Sequence, residues 1–379
     1  MSCASQNCVQ ARSTWRPPRG SLLPGNKLTT YAPFDPANSQ VSPTGLPSRL
    51  PSLTSLRGFA ALFVFAFHLN SAGVISFAPA KLGYAGVAFF FVLSGFLLAW
   101  TDRPGQATSQ FYLRRFARVY PSHLAMMLVA LCIPTGQGER GVLPTLMHLL
   151  LVQAWAPDFA YTYSLNGVAW SLSCEVFFYL LFPFIVISLR GRSNKTLAVV
   201  GFGLFFIISG AVLATTMIEV NSTVEAVRYT NPLVRLPEFV LGVCAALAMR
   251  AGWKPKLWMG FVLLAIAAVG FSVIPGKPAA DVWGALFFLA VIVHFAHSDC
   301  TRPLKIMQVR PLTYAGEVSF AFYLVHQIVI IHSVQLVGTR SAAGLIAFFV
   351  SVSCAVVLHH GVEQLANRAI LSRFSNRRG

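Results

Sequence analysis

The sequence predicts an all-α, polytopic membrane protein, a bundle of about ten transmembrane helices. Three observations predict it. Of 379 residues, 55% are apolar or aromatic and 11% charged, whereas a soluble domain carries about 25% charge. So little charge cannot cover a water-soluble body of this size, which excludes a cytosolic enzyme, a disordered protein and a secreted disulfide scaffold. Second, the apolar residues gather into stretches of spanning length. Third, the 29 Lys+Arg, set against 12 Asp+Glu for a net charge of +17, cluster between alternate stretches, as they do in loops kept in the cytoplasm. In a soluble protein that imbalance would suggest nucleic acid; here no nucleic-acid partner is expected, and the lipid bilayer is.

A span needs roughly 20 mostly apolar residues. Ten stretches qualify, at about 53–72, 83–101, 119–136, 168–189, 196–218, 235–250, 257–274, 281–298, 314–336 and 342–360. Threaded from a cytoplasmic start, they put Arg103/Arg114/Arg115/Arg118, Arg190/Arg192/Lys195, Arg250/Lys254/Lys256, Arg302/Lys305/Arg310 and the Arg368–Arg378 tail inside. The outer loops keep isolated cations such as Lys81, Arg140, Lys277 and Arg340. Both termini are thus expected in the cytoplasm. The apolar run 142–156 is short, contains His148 and Gln153, and reads as a re-entrant or surface helix. Residues 1–50, rich in Pro, Ser, Asn, Arg and Gly, are expected to form a disordered tail without a cleavable signal peptide. The domain proper is then 51–365, with a basic tail at 366–379. Seven scattered cysteines show no CxxC pair or zinc spacing, so neither disulfides nor a metal are expected.

Ionisable side chains inside a bilayer are costly and mark function by default. They are Arg57, His68, Glu175, Glu238, His294, His297, Glu317, His326 and Glu363. Arg57 and His68 are eleven residues apart; eleven steps of 100° fall within about 20° of three full turns. Both side chains therefore share one face, about 16–17 Å apart along the axis. A permanent cation at the inner mouth suits an anionic phosphate. An imidazole deeper in suits a general base. The structural alternative is a snorkelling arginine and a packed histidine. Ser171, Glu175 and Tyr179 stand one turn apart and line one face. Glu175 could orient His68 or pair with an arginine. Glu317 and His326 are expected on a common face, with His326 a second proton carrier or a packing residue.

From here the sequence resembles a known family. Arg57-x10-His68 on the first span looks like the signature of the membrane acyltransferase-3 family, bacterial enzymes that O-acylate surface sugars and similar acceptors. Gly86-Val-Ala-Phe-Phe-Phe-Val-Leu-Ser94-Gly95-Phe96 resembles the family's second span. Phe111-Tyr-Leu-Arg114-Arg115-Phe-Ala-Arg118-Val-Tyr-Pro121 is similar to its basic cytoplasmic loop, and Trp170-Ser171-Leu-Ser-Cys-Glu175-Val-Phe-Phe-Tyr179 to its W-S-L-x-x-E-x-x-F-Y segment. Arg235-Leu-Pro-Glu-Phe-Val-Leu-Gly242, Tyr323-Leu-Val-His326 and Glu363 complete the order. The sequence departs from the pattern at Ala88, where Asp is common, and at Phe320, where Tyr is. No fused hydrolase-like domain is expected after the tenth span.

The resemblance implies a multi-pass enzyme of the bacterial inner membrane. It would move an acyl group, most often acetyl, from cytoplasmic acyl-CoA to a hydroxyl of a sugar or glycolipid acceptor, with no permanently bound cofactor. On that reading His68, Arg57 and Glu175 are catalytic, and Arg57, Arg114, Arg115 and Arg118 hold the donor's phosphates. Trp170, Ser171, Tyr179, Glu317 and His326 lie on the substrate side. A macrolide-like metabolite is an alternative acceptor. A secondary transporter is the alternative function, disfavoured because the two halves show no repeat.

Overall fold

The computed structural model describes residues 46–215, 222–273 and 277–375. The tail expected at 1–50 lies almost wholly outside these residues, as do the last four residues of the basic tail. Among the described residues all regular structure is helical: α1 (Pro51–Ser71), α2 (Gly86–Thr101), α3 (Thr108–Cys132), α4 (Val142–Leu149), α5 (Trp170–Leu189), α6 (Asn194–Ala214), α7 (Ser222–Thr230), α8 (Pro232–Arg250), α9 (Leu257–Val273), α10 (Lys277–Thr301), α11 (Arg310–Leu336), α12 (Arg340–Leu358) and α13 (Leu365–Ser375). Each of the ten apolar stretches falls on one of these helices. Eight helical segments among the described residues are long and apolar enough to cross a membrane. The other two are α3, which carries three arginines, and the 17-residue α9.

Local chemistry sets several ends. Pro51 opens α1, where its missing N–H removes nothing the helix needs. One turn's free donor is taken by Asp299 at the end of α10, which accepts from the Ser52 N–H (2.9 Å) and from Ser52 Oγ (2.6 Å). At the centre of the bundle, α2 crosses α8 at the Ser94-Gly95 step. A Cβ on Gly95 would lie 2.0 Å from the Phe239 carbonyl oxygen, and one on Gly242 would lie 2.0 Å from that of Val92. These small residues let the two backbones touch, which explains Gly95 without any nucleophilic role for Ser94.

Two expectations need correction. Arg114, Arg115 and Arg118 are not on a loop: α3 begins at Thr108 and carries all three. Leu, Arg, Phe and Ala are sound helix formers, and the cations merely hide the helix from an apolar scan. Glu317 and His326 do not share a face either. Nine steps of about 100° end half a turn away; Glu317 is exposed whereas His326 is 0% exposed.

The 142–156 run behaves as a surface element. In α4 and just beyond it Val142, Leu143, Leu146 and Leu150 face outward, while Pro144 and His148 are buried. The His123 Nε2–H donates to the His148 carbonyl (2.8 Å). Burial, with His123 close by, pushes the His148 imidazole down from 6.5 to about 3. The free segment takes up a proton below pH 6.5 that the packed one refuses. The packing is therefore fully stable above 6.5 and weakens as pH falls towards 3. Hydrogen exchange is expected to show 142–150 losing protection over that window before α1 does.

Candidate active site

A cavity of about 150 Å³ opens among α1, α2, α3, α5 and α11. Arg57 of α1 and Arg115 and Arg118 of α3 reach its wall; Ser171, Glu175 and Tyr179 of α5 face them. The two arginines of α3 are three residues apart and so lie on one face; Arg114 is turned away by about 100° and does not line the cavity.

The charges are unevenly satisfied. Arg118 is ion-paired to Glu363. A π turn at His359–Gln364, between α12 and α13, aims that carboxylate inward. The His359 Nδ1–H donates to the other Glu363 oxygen (3.1 Å), and Gln364 Nε2 donates to His359 Nε2 (2.9 Å). Glu175 accepts from the Tyr179 hydroxyl (2.9 Å). Arg57 and Arg115 have no ion pair among the described residues. The Arg115 guanidinium lies over the Phe111 and Tyr179 rings, 6.0 Å from each, and its Nε is buried without a hydrogen-bond partner. Three guanidiniums against two carboxylates leave a positive excess, a setting for an anion with several acceptor oxygens.

His68 does not line this cavity. The lining ends at Tyr323, whose hydroxyl donates to the Val168 carbonyl (3.1 Å) and is hydrogen-bonded to Ser171 Oγ (2.9 Å). The Tyr323 ring lies 5.7 Å from that of His326, and His326 lies 5.0 Å from His68. A contiguous row of side chains thus leads from the guanidiniums to the imidazole expected on their face of α1. Trp170 is buried against Phe91 (6.1 Å) and Tyr229 (5.2 Å) and forms the wall behind the cavity. Glu317 is outside it altogether.

Behind Phe91 lies a group that the sequence only half disclosed. Arg235, 3% exposed, pairs through Nη1 with Glu238 (3.3 Å) and with Asp281 of α10 (3.1 Å). Its guanidinium also faces the Phe91 and Tyr229 rings at 5.5 and 5.7 Å. Asp281 went unsuspected because it sits at the margin of an apolar stretch; no local pattern links it to Arg235. Tyr323 and Ser94, which also line the cavity, were visible only as members of motifs, and Ser319 lines it beside them.

Comparison with known proteins gives the family. Residues 50–360 match a family model described as an acyltransferase domain. The chain is 33% identical over 361 residues to Acyltransferase MdmB of Streptomyces mycarofaciens, covering 85% of this chain and 92% of that one. It is 25% identical over 316 residues to Peptidoglycan O-acetyltransferase OatA of Listeria monocytogenes, covering 73% of this chain and 49% of that one. The chain thus spans about half the length of OatA. No solved structure matches it. Because one family model covers most of the chain, from the start of α1 to the end of α12, the protein belongs to the acyltransferase-3 family and is a membrane-embedded, acyl-transferring enzyme.

Proposed function

We propose that the protein moves a short acyl group, acetyl foremost, from acyl-CoA to a hydroxyl of a carbohydrate or glycolipid acceptor, in a bacterial inner membrane with both termini in the cytoplasm. The observation that carries this reading is the pair of guanidiniums, Arg57 and Arg115, that face the cavity without a counter-ion. A coenzyme's phosphates supply one, and Arg118 stands beside them. The donor's phosphates enter at the basic end, where Arg57, Arg115 and Arg118 reach the wall.

The axial interval of about 16–17 Å between Arg57 and His68 lets an extended pantetheine arm bring its thioester from one towards the other. His68 takes the acceptor's proton as the hydroxyl oxygen bonds the thioester carbon. The tetrahedral adduct then expels the CoA thiolate, which recovers that proton from the imidazolium. Glu175, inside the cavity and held by Tyr179, is the second candidate base, favoured by the fact that it lines the cavity whereas His68 does not. A macrolide-like metabolite is the second acceptor that this reading allows.

Binding of acetyl-CoA to purified protein in nanodiscs tests the donor site. Each hydrogen bond to a charged group is worth about 1.5–3 kcal/mol. Arg57→Ala and Arg115→Ala should therefore each weaken binding roughly 10- to 100-fold, while Arg114→Ala changes it less than about twofold. Unchanged binding in both cavity variants would remove the coenzyme from this cavity. Mass spectrometry of surface glycans and extracted metabolites, with and without the protein, identifies acceptor and acyl group together.

A further inference from the structure

His326 has one ring nitrogen committed. Its Nδ1 lies 2.7 Å from the Tyr323 carbonyl oxygen and 3.3 Å from that of Phe322. A carbonyl only accepts, so Nδ1 bears the proton, and in the neutral ring Nε2 keeps its lone pair. That Nε2 is buried and has no hydrogen-bond partner among the described residues. Phe65 and Phe322 wall the ring at 6.1 and 5.9 Å. The remaining side holds His68, with ring centroids 5.0 Å apart and planes at 55°. Tyr323 lies 5.7 Å away, but its hydroxyl is engaged with Val168 and Ser171; His68 is the neighbouring ring that always has an N–H to give.

We propose that His326 is a positioning residue for His68. Its Nε2 accepts the N–H of His68, selects one tautomer, and leaves the other His68 nitrogen with its lone pair turned to the acceptor hydroxyl. A backbone carbonyl fixes the first imidazole, and the first fixes the second. Hydrogen bonds of this kind are often long in an unliganded site and tighten when substrate arrives. When His68 takes the acceptor's proton, its original N–H stays on His68, still donated to Nε2 of His326. The proton taken from the acceptor later goes to the departing CoA thiolate, so His326 neither gains nor loses one. The proposal rests on the reading of His68 as the base.

The test uses full-length protein in nanodiscs with isotope-labelled histidine, the His68 signal being assigned by its loss in His68→Ala. Wild type is expected to hold His68 in one tautomer. His326→Phe keeps the ring but loses the acceptor, and should mix the tautomers. His326→Gln places Oε1 near the old Nε2 and should restore one. Transfer of labelled acetyl out of acetyl-CoA, in membrane vesicles from producing cells, should fall roughly 10- to 100-fold in kcat for the Phe variant with KM for acetyl-CoA unchanged. It should recover in part for Gln. Wild-type tautomer and rate in His326→Phe, or a Gln variant no better than Phe, would reduce His326 to packing. Full transfer by His68→Ala would instead overturn the base assignment, whatever the tautomers show.

Discussion

Replacing His68 with Ala is expected to abolish acyl transfer while leaving the protein inserted and able to bind acetyl-CoA. A positioned general base contributes typically 10²–10⁴ in rate, and the row from the cavity through Tyr323 and His326 ends on this ring. Donor binding should survive, because Arg57 stands about three helical turns away along α1 and Arg115 is carried by α3. The measurement is product formation alongside acetyl-CoA affinity in the same preparation. Loss of both would mean that the substitution disturbs the fold. Full retention of transfer would move the base to Glu175; Glu175→Gln, which keeps the shape and a hydrogen-bond acceptor for Tyr179, would then be the inactive variant.

The largest effect on stability is expected at Arg235. Its guanidinium is shared by Glu238 and Asp281 in the interior of the bundle. Removing one member of a buried ionic group costs about 3–5 kcal/mol, since the charges left behind lose their partner without regaining water. Arg235→Ala should therefore lower the amount of folded protein recovered from membranes and its thermal midpoint. Combining it with Glu238→Gln and Asp281→Asn should restore part of both, because neutral amides need no counter-ion. A thermal midpoint unchanged by Arg235→Ala would show that the three do not act as a unit. The link ties α8 to α10 behind Phe91, so the cavity wall itself depends on it.

What could be read from the chain was what a single helix decides. A span is recognised by its own apolar length, and a shared face by residue spacing alone. The ten helices were legible for that reason, as were the common face of Arg57 and His68 and the alignment of Ser171, Glu175 and Tyr179. The basic start of α3 was misjudged because charge masks a helix from an apolar scan, though the spacing of Arg115 and Arg118 already set them on one side. Glu317 was misplaced by arithmetic, half a turn from where the spacing puts it.

By itself, then, the sequence determined a helical membrane enzyme, its family motifs and the faces its polar groups occupy. Only tertiary structure decided which faces meet. Arg118 finds Glu363, Arg235 finds Asp281, and His68 finds His326 across 245, 46 and 258 positions respectively. Such pairings depend on how helices cross. Crossings are set by side-chain contact over whole faces, such as the Gly95–Gly242 contact that brings α2 onto α8. No local spacing encodes a partner on another helix.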